Sequence, residues 1–273
     1  MTTLAPVPGQ GRAFRVGGTS WVWPERALAN VQRLAGAVED VELLLFDVDD
    51  PRGLPVAGEI AALAALARRS ALSYTVHTPL DAALGSEDDR HREAGVTRVA
   101  RAITLAAPLE PRGFPVHAYL GEHEGAAPPA DLAAWRRRLT HSFEQICERT
   151  GVAPGLLCVE CLDYDLALAA PVIESLGLSV ALDIGHLGRD GVDVDAALDR
   201  WLPRARIVQW HGTDPDDRDH RSLVHWPRPS GVRLARRLLE ARWDGVLTLE
   251  VFRPADLAES LAWLGGVLAE ARA

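Results

Sequence analysis

The sequence contains no lysine, because all 29 of its Lys and Arg residues are arginine. Without lysine the chain cannot form a Schiff base with a carbonyl substrate or with pyridoxal phosphate. It also cannot supply the lysine of a phosphate-binding P-loop. The sequence therefore excludes lysine-dependent aldolases, transaminases and P-loop nucleotide hydrolases.

Cysteines and long apolar runs are also scarce. The three cysteines are an odd number and do not suggest a disulfide framework, which fits a reducing compartment. No apolar run reaches the roughly 20 residues that span a bilayer, and the first residues lack the charged and apolar regions of a signal peptide. We therefore expect a cytoplasmic protein without a membrane partner.

The charge balance bears on possible partners. The net charge of −9 gives no overall electrostatic footprint for nucleic acid. The hydrophobic fraction of 48% and charged fraction of 25% are typical of a globular chain. We expect a small-molecule substrate and no nucleic-acid partner, while the oligomeric state stays open.

Short apolar runs alternate with longer amphipathic segments along the chain. The apolar runs begin at Phe14, Val41, Leu72, Phe114, Leu156, Leu178, Ala205 and Gly245. Helical candidates include residues 59–69, 90–107, 131–149, 193–201, 232–241 and 254–271. Eight strand-then-helix units predict an α/β fold, a single (β/α)8 TIM barrel over residues 14–273. Residues 1–13 are predicted to form a flexible tail.

Side-chain alternation tests this prediction. Stepping back by two from the polar residue near the end of five strands gives mostly small or polar residues: Thr75, Cys158, Ala181, Gln209 and Thr248. The alternate positions are bulky and apolar: Val76, Val116, Val159, Leu182, Val208 and Leu249. In a parallel barrel one strand face lines the interior and the other lies under the helices. The first set is therefore predicted to face inward.

The predicted strand ends carry an unusual share of histidine and carboxylate. They hold His77, His117, Glu160, Asp183, His211 and Glu250, with His186 three residues after Asp183. If strand ends make up about a tenth of a barrel chain, nine histidines placed at random would put about one there. A buried ring of such side chains is costly unless it is neutralised, and divalent metal does this. Imidazole with carboxylate predicts zinc, manganese, cobalt or iron.

The acidic loop at residues 212–226 follows directly from His211. It offers Asp219 and His220 as further ligand candidates, with Asp217 as the alternative carboxylate. By default such a loop is only solvated. Its predicted place over the strand ends keeps the ligand interpretation open.

Tryptophan and cysteine give two weaker signals. Trp21, Trp23 and Trp226 are either packing residues or an apolar platform for a substrate at the barrel mouth. Cys158 and Cys161 match the C-x-x-C pattern. Strand alternation sends their thiols to opposite faces, so a zinc knuckle or a redox pair is not expected.

Together, these residues resemble the xylose isomerase-like barrel superfamily, which includes endonuclease IV-type enzymes and sugar epimerases. More narrowly, the segments VHTPLD, CVECLDYD, ALDIGHL, DHRSL and LTLEVF resemble the cobamide-remodelling phosphodiesterases. That family hydrolyses the phosphodiester in the nucleotide loop of cobamides such as coenzyme B12. The resemblance covers residues 14 to 270.

The resemblance to endonuclease IV-type enzymes implies three ligand sets. The first set is His77, His117 and Glu160; the second is Glu160, Asp183, His211 and Glu250; the third is His186, Asp219 and His220. Two departures from the pattern stand out. Cys161 follows Glu160 where the superfamily commonly has Asn, and Arg218 falls where the pattern places its loop Asp.

The resemblance implies metal-assisted hydrolysis with two or three ions. Its catalytic residues would be Glu160, Asp183 and Glu250. The alternative is a one-metal sugar isomerase or epimerase, which needs only Glu160, Asp183, His211 and Glu250. Cleavage of DNA at abasic sites and a non-catalytic corrinoid carrier are further alternatives. Metal stoichiometry separates the first two.

Overall fold

The computed structural model of the chain describes residues 4–7, 12–49, 54–121, 123, 125, 129–160, 164–216 and 218–273. Eight strands of the described chain pair in parallel in one sheet. They are β1 (Arg15–Thr19), β2 (Asp40–Leu44), β3 (Ser73–His77), β4 (Phe114–His117), β5 (Leu157–Glu160), β6 (Ser179–Asp183), β7 (Ala205–Trp210) and β8 (Val246–Leu249). Their order is β3-β2-β1-β8-β7-β6-β5-β4, so β8 returns to β1.

The barrel is nearly closed between β3 and β4. Three backbone hydrogen bonds cross this junction: Val76 N–H to Gly113 O at 3.1 Å, Thr78 N–H to Pro115 O at 3.1 Å, and Arg112 N–H to Tyr74 O at 2.8 Å. Pro115 lies in β4 and has no N–H to donate, so a regular ladder cannot form there. The irregular junction therefore has a local cause in the sequence.

Helices follow the strands along the chain. They are α1 (Ala27–Leu34), α2 (Ala57–Ser70), α3 (Asp89–Ala106), α4 (Leu132–Thr150), α5 (Ala170–Leu176), α6 (Ile184–Arg189), α7 (Val194–Trp201), α8 (Arg228–Glu240) and α9 (Pro254–Arg272). The six helical candidates each overlap one of these helices. The pattern did not single out α1, α5 and α6, which are short at 8, 7 and 6 residues, although it did find α7, which also has 8. The alternation of strands and helices confirms the predicted TIM barrel.

The inward and outward strand faces follow the predicted parity. Cys158, Ala181 and Ile207 form a small buried cluster of their own. The predicted outward residues, such as Val159 and Leu182, belong instead to the main hydrophobic core. The two clusters are those of a barrel interior and of the layer between strands and helices.

Part of the N-terminal segment contacts the barrel. Val7 is buried, and Arg12 bonds the Glu39 carboxylate at 2.6 Å and the Phe14 carbonyl oxygen at 2.5 Å. The flexibility of residues 1–13 as a whole stays a prediction. No helix among the described residues has both the length and the apolar character needed to cross a membrane.

Candidate metal centre

Six polar side chains lie at the carboxyl ends of six consecutive strands. His77, His117, Glu160 and Asp183 end β3 to β6, and His211 and Glu250 come directly after β7 and β8. All six are buried. We call these six residues the strand-end ring. The strand ends of a barrel meet at one mouth, which is where barrel enzymes place their active sites.

The first histidine group consists of His77, His117 and Glu160. His77 Nε2 lies 3.2 Å and His117 Nε2 lies 3.6 Å from the same oxygen, Glu160 Oε2. The other ring nitrogens are also held: His77 Nδ1 lies 2.8 Å from the Thr78 carbonyl oxygen, and His117 Nδ1 lies 2.5 Å from the Tyr119 hydroxyl. A carbonyl oxygen only accepts, so His77 Nδ1 carries a proton. In the neutral ring, Nε2 is then free to act as a ligand.

The histidines and the carboxylate of the first group shift each other's pKa values. Burial alone would lower the pKa of His77, but the Glu160 carboxylate outweighs it and raises that pKa above its usual value. Burial alone would raise the pKa of Glu160, but His117 and His77 lower it. A proton on the histidines and a divalent cation therefore compete for the same atoms.

The second histidine group consists of His186, His211 and His220, which can present ring nitrogens within 4.8 Å of one another. Asp183 connects two of its members. Asp183 Oδ2 lies 2.8 Å from His186 Nδ1, and Asp183 Oδ1 lies 3.6 Å from His211 Nε2. The same Oδ1 accepts the His186 backbone N–H at 2.9 Å and so caps the N-terminus of α6. The cap thus fixes the position of His186.

His211 has two mutually exclusive hydrogen bonds. Its Nδ1 lies 3.1 Å from the His220 backbone N–H donor and 3.2 Å from the Gly212 carbonyl oxygen. The first contact needs a lone pair on Nδ1 and the second needs a proton, so a neutral ring makes only one of them. With the proton on Nδ1, the buried Nε2 is the free ligand atom.

His220 is held in a less common backbone conformation. Its φ of +51° lies in the left-handed region, which non-glycine residues seldom adopt. His220 Nδ1 lies 3.1 Å from the Glu250 carbonyl oxygen. Burial and the neighbouring His211 lower the pKa of His220 to about 4, so the ring is neutral at neutral pH, as a metal ligand must be.

Carboxylates crowd the interior beside the two groups. Burial raises the pKa of Glu250 well above its usual value, and the nearby carboxylates of Asp183, Glu42 and Glu160 raise it further. Glu42 lies on β2 and is fully buried, and burial likewise raises its pKa. Without a cation nearby such buried carboxylates tend to take up protons, and a bound cation would let them ionise.

The residues present fit bound divalent cations. Three buried atoms of the strand-end ring lack a hydrogen-bond partner: Glu160 Oε2, His211 Nε2 and Glu250 Oε2. Buried polar atoms normally have partners, so each of these needs an explanation. Imidazole nitrogen and carboxylate oxygen together are a donor set for zinc, manganese, cobalt or iron.

The acidic loop brings Asp219 to the edge of the second group. Asp219 Oδ2 lies 3.4 Å from His186 Nε2 but only 2.6 Å from Arg189 Nη1. The predicted ligand is therefore paired with an arginine on α6. Asp217, the alternative carboxylate, lies outside the described residues.

The three predicted substrate-binding tryptophans have different surroundings. Trp21 is 48% exposed and packs edge-on against Phe46, whose ring in turn contacts His77. Trp23 is half-buried, with its backbone N–H bonded to Asn30 Oδ1 at 2.8 Å. Trp226 packs against Trp210, on the helix-covered side of β7. Of the three, Trp21 is the one joined to the strand-end ring through a chain of ring contacts.

Of the two cysteines in the C-x-x-C pattern, Cys158 is buried in the barrel interior. Burial raises the pKa of its thiol to about 12, which makes it unreactive. Cys161 lies outside the described residues, so the predicted divergence of the two thiols stays a prediction.

Sequence reasoning missed several residues that support the site. Glu42 stands in the apolar run VELLLF, where a single carboxylate inside a buried strand was the available signal. Tyr119 follows His117 by two residues on the same extended segment, so alternation could have found it. Arg189 pairs with Asp219, which is 30 residues away in the sequence, and no local sequence pattern predicts that contact.

Solved structures with the same fold include both epimerases and a nuclease. The chain is similar to a D-tagatose 3-epimerase-like protein, with 18% identity, a TM-score of 0.75, and coverage of 95% of this chain and 98% of that chain. It is similar to an L-ribulose 3-epimerase, with 19% identity, a TM-score of 0.72, and coverage of 95% and 96%. It is also similar to endonuclease IV from Thermus thermophilus, with 22% identity, a TM-score of 0.69, and coverage of 94% and 99%. At these identities the likeness shows the fold alone.

Sequence comparison defines the family. No curated protein matches the chain. The family model described as "Xylose isomerase-like TIM barrel" matches residues 33–266, which is most of the chain. The resemblance to that superfamily, inferred from the strand-end residues, is thereby confirmed, and the chain belongs to the xylose isomerase-like TIM barrel family.

Proposed function

We propose that the chain is a metal-dependent phosphodiesterase that hydrolyses the nucleotide-loop phosphodiester of a cobamide and releases a phosphorylated cobinamide. The observation that carries the proposal is the convergence of His77 Nε2 and His117 Nε2 on Glu160 Oε2, at 3.2 and 3.6 Å. A one-metal epimerase needs neither histidine as a ligand. A buried group of this kind beside a second histidine group suits more than one ion, and multinuclear sites suit displacement at phosphorus.

Each ligand set has a place in this proposal. The first group would hold one ion, and Glu160 would share a second with Asp183, His211 and Glu250. His186 and His220 would hold a third together with Asp219, for which that ion would have to compete with Arg189. Bound divalent ions supply charge that polarises phosphoryl oxygens and lowers the pKa of water.

The chain itself orients these ligands. The Thr78 carbonyl oxygen and the Tyr119 hydroxyl hold the imidazoles of His77 and His117 with Nε2 toward Glu160. Asp183 holds His186 through both its backbone N–H and its ring. Such partners fix the tautomer and direction of metal-ligating histidines.

The substrate is assigned on two grounds. Five segments along the chain resemble the cobamide-remodelling phosphodiesterases, and a corrinoid presents one phosphodiester on a large, partly apolar body. The exposed Trp21, connected through Phe46 to His77, offers an apolar surface near the first group. The net charge of −9 and the absence of lysine disfavour a polyanionic polymer.

The second candidate is a one-metal sugar epimerase or isomerase. The solved structures favour it, because the two epimerase-type proteins have TM-scores of 0.75 and 0.72 against 0.69 for the endonuclease. The Arg189–Asp219 pair also points this way, since it occupies a carboxylate that a third ion would need. Glu160, Asp183, His211 and Glu250 would then hold the single ion.

One set of measurements separates the two candidates. Elemental analysis of the purified protein counts ions per chain, and mass spectrometry follows adenosylcobalamin incubated with the protein and added Mn, Zn, Co or Fe. Two or three ions with release of phosphorylated cobinamide support hydrolysis. One ion, an unchanged cobamide and epimerisation of a ketose would replace the proposal with the second candidate.

A pair of histidine variants sharpens the test. His117→Ala removes a ligand of the first group, whereas His141→Ala changes an exposed histidine on α4. Hydrolysis should fall about a hundredfold in the first variant and stay at the wild-type rate in the second. Full hydrolysis in His117→Ala would contradict the role of the first group.

A further inference from the structure

Glu42 has no role in the ligand sets described above, yet it lies among them. Across the strands it is in register with Thr19 of β1 and Thr75 of β3. Its side chain is fully buried. Gln209 Nε2 donates a long hydrogen bond of 3.4 Å to Glu42 Oε1, while Glu42 Oε2 has no partner.

Two further buried oxygens without partners accompany Glu42. They are Gln209 Oε1 and Thr248 Oγ1. Gln209 and Thr248 are in register across β7 and β8, and each precedes a member of the strand-end ring, His211 or Glu250, by two residues. Because side chains two apart on a strand share a face, Glu42, Gln209 and Thr248 form a polar layer beneath the ring.

Charge distinguishes Glu42 from the other buried carboxylate of β2. Asp40 accepts hydrogen bonds from Ser73 Oγ at 2.5 Å and from the backbone and hydroxyl of Thr75 at 3.2 and 2.9 Å. Burial raises the pKa of Asp40 as it does that of Glu42, but the hydrogen bonds from Ser73 and Thr75 and the charge of Arg15 oppose this shift.

Burial raises the pKa of Glu42 and the charge of Glu160 raises it further, while the cationic form of His77 and the hydroxyl of Thr248 lower it. The positive charge that acts on Glu42 is therefore that of His77, a member of the strand-end ring. A buried carboxylate with so little compensation is costly unless a cation is bound close by.

We propose that Glu42 is a positioning residue of the metal centre. Held by Gln209, its carboxylate adds negative charge directly beneath the ring and strengthens the binding of divalent cations there. The bound cation in turn compensates the charge of Glu42. This inference rests on the metal-binding part of the proposed function and not on the identity of the substrate.

The test compares Glu42→Gln with Asp40→Asn, two substitutions that keep side-chain shape on the same strand. Mn²⁺ binding is measured by titration calorimetry, and thermal midpoints are measured with and without Mn²⁺. Glu42→Gln should bind Mn²⁺ about tenfold more weakly, as is typical when a supporting residue of a metal site is changed. It should also raise the midpoint of the metal-free protein, because an uncompensated buried charge is removed.

Asp40→Asn should affect stability and not metal binding. It leaves Mn²⁺ affinity unchanged and lowers the midpoint of both forms, because Asp40 supports the strands and not the ring. A merely structural role for Glu42 would likewise lower both midpoints equally and would overturn the proposal. Wild-type Mn²⁺ affinity in Glu42→Gln would overturn it as well.

Two further results keep the test decisive. If Glu42→Gln fails to fold, Gln209→Leu replaces it in the test. This substitution releases the Glu42 carboxylate from its hydrogen bond and should weaken Mn²⁺ binding by a smaller factor. Unchanged Mn²⁺ binding in Gln209→Leu would overturn the proposal. Weaker Mn²⁺ binding in Glu42→Gln, together with a cobamide left intact by the wild type, would remove the substrate assignment and keep the role of Glu42.

Discussion

The two histidine groups lie side by side at one barrel mouth but are built differently. All three members of the first group are the last residues of strands β3, β4 and β5. In the second group, His211 follows a strand, His186 lies on α6, and His220 lies in the acidic loop. The first group thus takes its geometry from the barrel, while the second depends on elements added to it.

The hydrogen bonds follow the same division. In the first group each ring nitrogen faces either Glu160 or a supporting oxygen. In the second group His211 faces a donor and an acceptor at the same nitrogen, and Asp219 is paired with Arg189. We infer that the first group is ready for a cation, whereas the second must rearrange to complete its ligand set.

The largest expected effect comes from Glu160, whose Oε2 both histidines of the first group face. Glu160→Gln keeps the shape of the side chain and removes its charge. We expect a loss of turnover of about a thousandfold or more, because charge stabilisation of the transition state commonly contributes that much. The circular dichroism spectrum should be unchanged. Full turnover in the variant would remove Glu160 from the mechanism.

A smaller effect separates the two groups directly. His117→Ala should lower turnover about a hundredfold and remove one ion per chain, whereas His220→Ala should lower turnover about tenfold, within the range seen when metal-site residues are changed. The reason is that His220 lies in a loop beside a carboxylate already paired with arginine. Turnover and elemental analysis measure both effects. Equal losses would show that the two groups contribute alike and would break the comparison.

Much of this division follows from the sequence. Strand alternation predicts that Thr75, Cys158, Ala181, Gln209 and Thr248 face inward, and Cys158 and Ala181 do cluster apart from the main core. Members of the ring sit at strand ends, where parity and barrel geometry decide direction, so one strand at a time sufficed to find them. The family followed from the same residues.

The rest depends on contacts that no single strand encodes. The Arg189–Asp219 pair forms because α6 and the acidic loop approach each other, and the length and path of that loop are set by tertiary packing. Glu42 was overlooked because an apolar run predicts a buried strand and gives no weight to one carboxylate within it. The cobamide assignment lies further still from the fold, because barrels of one architecture support many reactions.

Replacing Arg189 would make the second group resemble the first, because the Asp219 carboxylate would no longer be paired with an arginine. Arg189→Ala frees Asp219 Oδ2, which lies 3.4 Å from His186 Nε2. We expect the weakest Mn²⁺ binding event in titration calorimetry to become about threefold tighter, since a partly exposed ion pair contributes only modestly. Arg200→Ala is the matched control. Arg200 is an exposed arginine on α7 that stacks on Trp201, and its replacement should leave Mn²⁺ affinity unchanged. Weaker Mn²⁺ binding in Arg189→Ala would mean that the arginine supports the site.

The smallest expected effect concerns the loop that carries His220. Asp214 accepts hydrogen bonds from the backbone N–H groups of Asp216 and Arg218 at 3.0 and 3.1 Å, and from the Arg221 guanidinium at 3.1 Å. Burial alone would raise the pKa of Asp214, but the bonds from Arg218 outweigh it and lower that pKa below its usual value. The carboxylate therefore stabilises the folded loop above its unfolded pKa of about 3.9, and the contribution is lost as the pH falls through that value toward the depressed folded pKa.

Replacement of Asp214 by Asn should accordingly matter at neutral pH and cease to matter in acid. We expect the metal-free Asp214→Asn variant to have a lower thermal midpoint than the wild type near pH 7, with the difference shrinking steadily toward about pH 3. Faster hydrogen exchange at the backbone N–H groups of Arg218 and Arg221 in the variant would locate the change in the loop. Binding of Mn²⁺ to the first group should be unaffected, because its ligands are held by strands and not by this loop. A midpoint difference that stays constant with pH would show that the charge of Asp214 does not hold the loop that carries His220.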